Sequence, residues 1–435
     1  MPRNPDTHRA LGIASLAVLV AASVTLVATA TGGGDAFVIG GAHGPHWLLG
    51  PLRWLKLDWG KDGVFLSAIA MFAGYLGLLA FRSALSARAV IGTIVALHVL
   101  FVLAPILLSG DVFFYIGLGR LWALDHIDPY AFGRIAGQHA NQVSVYTGTW
   151  AALPSTYGPV FIALSGALAL LGVTASVWAF KVIAGLAGLA TIWLVWDAAG
   201  RLGRDRLAAV ILVGANPLWL AWTVGGAHND TLMMALVMGA VVLVLRGSER
   251  ASGAVLAVGV GLKLAVGPFA AFVVLGARRR LRAVAGAVGV GAALLAVGFA
   301  LFPSSWLGHW YAQSQDQARI SGPGPLMHLM GFLRVDSNPV PQSVRIAVEL
   351  AGVAIVLALL VRTWRDGDWL TNAGWAALVI LVTSSWLREW YFAWLLPLAA
   401  LSPSRRLLWA TLALSAFVML TAQRWVLELI FLRLL

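Results

Sequence analysis

The chain has no cysteine, which excludes disulfides, thiolate metal sites and cysteine nucleophiles. Charge is scarce: Asp, Glu, Lys and Arg together make up 11% of 435 residues, against roughly 25% in soluble domains. Lysine is rarer still, at positions 56, 61, 181 and 263 only. No HExxH motif or His/Asp array is present, and hard cations want several oxygen ligands, so neither a metal nor another cofactor is expected. No repeat, low-complexity tract or soluble domain interrupts the chain. It reads as a single transmembrane domain over 1–435.

What fills the sequence instead is apolar. Hydrophobic residues make up 60% of it, with a mean hydropathy of +0.85. The apolar runs lack the period-2 alternation of barrel strands, and lipid cannot satisfy free backbone groups, so the spans must be helices. At roughly 20 residues per crossing, the runs predict an all-α polytopic membrane protein of about 12–13 transmembrane helices, with interfacial helices on the outer face. The net charge of +12 lies in short loops. It signals topology and contact with anionic membrane lipid rather than nucleic acid. Most of the twenty tryptophans suit aromatic belts at the interfaces.

A basic start (Arg3, His8, Arg9) precedes the apolar run 10–30. A signal peptide or a retained first helix would both place the N-terminus in the cytoplasm, and the retained helix is favoured. An outer loop, 31–62, carries Trp47, Trp54 and Trp59. Spans at 63–81 and 89–108, joined at Arg82 and Arg88, lead outside to a first long outer loop, 109–157. Within it, 111–124 has the spacing of an amphipathic helix lying in the interface, and Asp128-Pro129 ends it.

Basic loops recur at Arg201–Arg206, Arg246–Arg250 and Arg278–Arg282. The positive-inside rule makes all three cytoplasmic. Two spans, 207–224 and 230–246, fit between the first pair, joined outside by Ala227-His228-Asn229-Asp230. Only 252–277 lies between the second pair. Parity therefore predicts a broken hairpin there, interrupted at Gly267-Pro268, with Lys263 near its outer tip. The short segment 158–172 is either re-entrant or tilted. A span at 281–302 leads to a second long outer loop, 303–341, holding His309, Asp316, Arg319, His328, Arg334 and Asp336. Spans at 343–361, 369–387, 390–401 and 407–425 complete the chain, with Arg388-Glu389 on the outer side.

Each candidate for chemistry has a plainer reading beside it. Asp111 is either a first-turn carboxylate complementing the helix dipole or a partly desolvated general base of raised pKa. Asp128 suits turn chemistry, with Tyr130 within reach of a polar ligand. His228, Asn229 and Asp230 are either a helix cap or ligands for a polar head group. Lys263, inside an apolar stretch, is a functional hypothesis against snorkelling. Arg388, Glu389, Trp390 and Tyr391 are either an ion pair with aromatic anchors or a lipid-phosphate site.

The residues also fall into an ordered pattern: Ser109-Gly110-Asp111-x-x-x-Tyr115, Asp128-Pro129-Tyr130, Tyr157-Gly158-Pro159, Gly214-Ala215-Asn216-Pro217-Leu218, Ala227-His228-Asn229-Asp230, the break around Lys263, and Trp390-Tyr391-x-x-Trp394. From about residue 60 to 400 this order resembles the polyprenyl-phosphate-mannose-dependent α-1,6-mannosyltransferases of actinobacteria, which build the lipomannan core and belong to the GT-C class. No single motif carries the resemblance; the ordered set does.

The resemblance implies a sugar donor on a polyprenyl phosphate, presented from the outer leaflet of the plasma membrane. It also implies a mannan or glycolipid acceptor, and Asp111 as catalytic base. The family often has glutamate where this chain has Asp230, and proline sooner after the lysine than Pro268. These departures leave acceptor and linkage open. Such a donor is already activated, so one carboxylate suffices to deprotonate the acceptor hydroxyl as it displaces the lipid phosphate with inversion. Lys263 and Arg388, and less so Arg120, would stabilise that phosphate. His228 and Asn229 would position sugar or phosphate, and Tyr115 and Tyr157 belong to the same set. The rival readings are a transferase for another polyprenyl-phosphate sugar, such as arabinose or glucose, and a lipid-linked sugar flippase or transporter. A transporter should show internal symmetry and midplane polar sites.

Overall fold

The computed structural model describes residues 5–32, 46–130, 143–147, 154–302, 306, 341–384 and 387–421. The described residues are all-α, with no strand. Five helices are long and apolar enough to cross a membrane: α1 (Pro5–Thr31), α2 (which with the turn after it spans Asp62–Ala84), α6 (Val173–Arg201), α11 (Arg280–Leu301) and α12 (Gln342–Asp366). The other principal helices are shorter. In chain order they are α3 (Ala87–Leu103), α4 (Asp111–Ala123), α5 (Pro159–Ala169), α7 (Arg206–Gly214), α8 (Asp230–Leu245), α9 (Glu249–Leu262), α10 (Val266–Gly276), α13 (Trp369–Thr383), α14 (Phe392–Leu401) and α15 (Arg405–Thr421).

The chain is thus a polytopic membrane protein whose apolar runs are more broken than their hydropathy suggests. The expected single span 207–224 is two pieces. Helix α7 and the π-helical segment Leu218–Val224 meet at an angle of 48°. Pro217 cannot donate a backbone hydrogen bond, and Asn216 Oδ1 caps the next segment by accepting from the Leu218 N–H at 2.9 Å. Span three stops at Leu103 rather than 108, because Pro105 disfavours helix at Ala104. The broken hairpin breaks at Lys263–Ala265, between α9 and α10. Gly267 and Pro268 instead sit in the first turn of α10, where a proline costs no hydrogen bond.

The directions of these helices follow from their packing. Gly253 backs onto Ala283, and Gly261 onto Leu294, so α9 and α11 run in parallel. Helix α10 must therefore return the chain between them. Its Gly276 end meets Trp369 at the start of α13. The basic loops converge on the end of the bundle that α10 returns to. There Arg82 pairs with Asp205, Arg201 and Arg246 with Asp197, and Arg280 lies over the Trp364 ring. Exposed pairs of this kind stabilise little; their value is that they mark one side.

The core is formed by α7, the π segment, α8 and α14, most of whose side chains are buried. Inside it the Trp219 indole donates to His98 Nε2 at 3.0 Å, while His98 Nδ1 meets the Ile94 carbonyl at 2.8 Å. Helices α11 and α12 are peripheral and expose apolar residues such as Val288, Leu295, Leu350 and Val353, as lipid-facing helices do. Helix α4 departs from the expected amphipathic surface helix. Val112 to Ile116, Leu118, Gly119 and Leu121 are all buried, because α5 runs parallel to it. The close approach of Gly119 to the Ser165 backbone and of Trp122 to Gly166 leaves α4 no membrane-facing stripe. The segment 158–172 is this partner helix and the turn after it. Most of the loop 303–341 lies outside the described residues, including His309, Asp316, Arg319, His328, Arg334 and Asp336.

Candidate active site

At the end of the bundle away from the basic loops, several chain breaks meet around a cavity of about 550 Å³. Its wall includes Asp111, Tyr146, Tyr157, Lys263, Arg388, Glu389, Trp390, Tyr391 and Trp394. Each charged group arrives there because a helix starts or stops. Asp111 opens α4, with its N–H donating to Ser109 Oγ at 3.2 Å. Lys263 sits in the gap between two half-helices, and Arg388–Tyr391 in the turn between α13 and α14.

Two polar pairs form the wall's backing. His228 Nδ1 lies 3.4 Å from Asp111 Oδ2; the histidine is fully buried, whereas the Asp111 side chain keeps 29% of its surface open to the cavity. The His228 ring stacks on Trp390, with centroids 3.9 Å apart and planes at 15°. The second pair is ionic. Lys263 Nζ donates to Asp230 Oδ1 at 2.7 Å and to Asn229 Oδ1 at 3.3 Å. The same Asp230 oxygen accepts from Trp394 Nε1 at 2.6 Å. Tyr391 and Trp394 stack on each other, and both rings face the ammonium at 5.2 and 5.5 Å. Lys263 is thereby held in place yet keeps 13% of its side chain exposed to the cavity, whereas Asp230 is fully enclosed.

Burial raises the Asp111 carboxyl. The hydrogen bond and charge of His228, the Ser109 hydroxyl and the positive charge of Lys263 outweigh it, and the net effect holds the group below its ordinary value. This reverses the raised pKa expected from partial desolvation alone, since the sequence does not reveal that two basic side chains face this carboxylate. Asp111 is therefore ionised and free to accept a proton at neutral pH. The sign of its coupling can be tested. A depressed pKa keeps the carboxylate ionised until strongly acid pH. His228→Ala removes the main lowering influence and leaves the burial, so the acid limb of the kcat/KM profile should move to higher pH. An unmoved limb would disconnect His228 from Asp111.

The proposed site residues separate into three groups. Asp111, Tyr157, Lys263, Arg388, Glu389, Trp390 and Tyr391 line the cavity. His228, Asn229 and Asp230 do not; they stand behind the wall and hold Asp111 and Lys263 from the rear. Tyr115, Arg120, Asp128 and Tyr130 also stay off the wall. Tyr115 is packed edge-on among Tyr157 and Phe161. Arg120 lies further along α4, its Nε enclosed. Asp128 accepts from the Tyr130 N–H at 2.8 Å, the turn role, and buried Tyr130 donates to the Tyr157 carbonyl at 2.9 Å. Sequence reasoning passed over Tyr146, Thr147 and Thr156 on the wall, since nothing in their local pattern sets them apart. Trp394 was visible, one helical turn after Trp390, but its bond to Asp230 was not.

One glycine is required here. A Cβ on Gly226 would lie 2.7 Å from the His228 ring and 2.5 Å from the Trp222 carbonyl. Gly226→Ala should therefore displace His228 and reproduce the pH shift of His228→Ala; a wild-type profile would show that the ring tolerates the intrusion.

Fold and site together define a helical membrane protein with a carboxylate, a lysine and an aromatic wall gathered in one cavity at one end of its bundle. Comparison of sequences narrows the class. Residues 9–279 match the model of the alpha-(1->6)-mannopyranosyltransferase family, N-terminal domain, and the chain belongs to that family. It is a glycosyltransferase. It is 28% identical over 407 residues to the alpha-(1->6)-mannopyranosyltransferase A of Mycobacterium tuberculosis, covering 85% of this chain and 77% of the relative. The alpha-(1->6)-mannopyranosyltransferase A of Corynebacterium glutamicum is 28% identical over 174 residues, 39% of this chain and 35% of the relative. The alpha-(1->6)-mannopyranosyltransferase B of the same species is 27% identical over 157 residues, 34% and 26% of the two chains. No solved structure matches.

Proposed function

We propose that the protein transfers mannose from polyprenyl-phosphate-mannose to a mannan or glycolipid acceptor at the extracytoplasmic face of the plasma membrane, inverting the anomeric carbon and forming an α-1,6 linkage. The observation that carries this reading is the placement of Asp111 and Lys263 on one cavity wall. An ionised carboxylate accepts the proton of the attacking hydroxyl, and a fixed ammonium faces the phosphate that leaves. Because Asp111 is a weak base in its resting state, it takes the proton only as the new glycosidic bond forms and the hydroxyl becomes acidic. The acceptor oxygen attacks the anomeric carbon, the carbon–phosphate oxygen bond breaks, and the lipid phosphate departs with both electrons. Arg388, over the Trp390 ring at 5.9 Å, lies on the same wall and adds positive charge for the leaving group.

The level of the cavity supports a lipid-borne donor. Along α6, Arg201 at the basic end and Lys181, which donates to the Pro105 and Gly225 carbonyls of the segments leading into the site, are about 30 Å apart at the helical rise per residue, close to the thickness of the hydrocarbon core. A phosphate anchored by a polyprenyl chain would sit at this depth. Tyr146, Tyr157 and Trp390 on the same wall give a sugar ring aromatic surface to pack against.

The test is donor choice by the full chain in lipid nanodiscs. Labelled mannose on polyprenyl phosphate should pass to an α-1,6-oligomannoside, and the arabinose and glucose carriers should compete poorly. Preference for another carrier sugar would revise the substrate. Failure with every carrier, together with movement of the lipid across vesicles, would favour the flippase reading.

A further inference from the structure

Lys181 plays no part in the chemistry assigned to Asp111 and Lys263, yet it is completely buried in α6. Among the described residues no carboxylate pairs with it. Its ammonium instead donates to two backbone carbonyls, Pro105 at 3.0 Å and Gly225 at 3.1 Å, and faces the Trp178 ring at 5.9 Å. These carbonyls belong to the two segments that deliver the site. Pro105 begins the stretch leading to Ser109, Gly110 and Asp111, and Gly225 begins the turn leading to His228, Asn229 and Asp230. The segments are also joined directly, by the Leu107 N–H donating to the Gly225 carbonyl at 3.3 Å.

Both segments carry backbone strain just before the functional residue. Leu108 has φ of 64° and Ala227 has φ of 56°, the left-handed region that side chains other than glycine rarely occupy. Among the described residues only one other non-glycine residue, His126, shares this conformation. Such positions persist only where the surroundings over-determine them. A buried lysine head group lacking a carboxylate is costly unless its N–H groups find acceptors, and the acceptors here are the Pro105 and Gly225 carbonyls, so the lysine and the two turns depend on one another.

We propose that Lys181 is a positioning residue. By bridging the Pro105 and Gly225 carbonyls it locks the two strained turns together and fixes Asp111 against His228. The consequence for transfer rests on the reading under Proposed function; the bridge itself does not.

The experiment uses the full chain in nanodiscs, as wild type and Lys181→Met, with two readouts. Hydrogen exchange of peptides covering 104–110 and 225–230 should accelerate in the variant, while peptides from the basic end keep their wild-type rates. With polyprenyl-phosphate-mannose as donor, kcat should fall about ten-fold or more, as misplacement of a reacting group predicts, with donor KM within about two-fold. Unchanged exchange in both peptides, or a kcat within about two-fold of wild type, would overturn the proposal. Should Lys181→Met not accumulate, Lys181→Leu, which is apolar and has no N–H donor, is read in the same way. If neither folds, the lysine is a folding element and the proposal fails. If wild type transfers no mannose, the functional reading fails, and exchange alone decides on Lys181.

Discussion

Asp111→Asn should lower kcat for mannosyl transfer by about 10²–10⁴-fold, the range typical of a lost general base, while the protein stays folded. The amide has nearly the shape of the carboxylate, and the Asp111 side chain meets only the polar groups of His228 and Ser109 and an open face to the cavity, so little packing is at stake. Donor KM should change little, because the role proposed for the carboxylate is on the acceptor hydroxyl and not on the lipid phosphate. A fall in kcat/KM at constant kcat would mean that Asp111 binds substrate rather than activating it. Equal activity of variant and wild type would remove it from the chemistry.

The second large effect is expected at Lys263. Lys263→Met should raise donor KM and lower kcat/KM by about 10²-fold or more, through loss of the charge facing the leaving phosphate. It should also destabilise the fold, since removing one partner of a buried ion pair typically costs about 3–5 kcal/mol. Asp230 would be left fully enclosed, with only the Trp394 indole still donating to it. The two losses can be separated. Lys263→Met with Asp230→Asn removes the uncompensated charge, so thermal stability should recover while donor KM stays high. Recovery of both would make the lysine a structural counter-ion and nothing more.

The fold class was legible because lipid imposes one strong rule: apolar runs without alternation must be helices. Charge parity added the return of the chain at Lys263, and the parallel packing of α9 and α11 agrees with that path. What hydropathy could not show was where each run breaks. Asn216-Pro217 bends one run because a proline meets a side-chain cap, and Lys263–Ala265 breaks another two residues before the Gly-Pro that drew attention. Amphipathicity likewise failed at α4. A helix buried by a parallel neighbour carries bulky residues on several faces, and spacing alone reads these as a membrane stripe.

For the site, the sequence identified most of the charged residues but could not separate those that line the cavity from those that stand behind it. Asp111 and Lys263 were visible as charges at apolar boundaries. That His228 backs the first and Asp230 the second depends on contacts across more than a hundred residues of chain in the one case and on a half-helix gap in the other. Lys181 carried the same signal as Lys263, a lysine inside an apolar run, but on an uninterrupted helix with no local mark of a site.

The central claim is a single displacement in which Asp111 activates the acceptor. The most direct test is the anomeric configuration of the new linkage, read by NMR from the product of wild-type enzyme acting on polyprenyl-phosphate-mannose and an oligomannoside. The configuration should be opposite to that of the donor. Retention would require a covalent glycosyl intermediate or a second displacement, and would contradict the role given to Asp111.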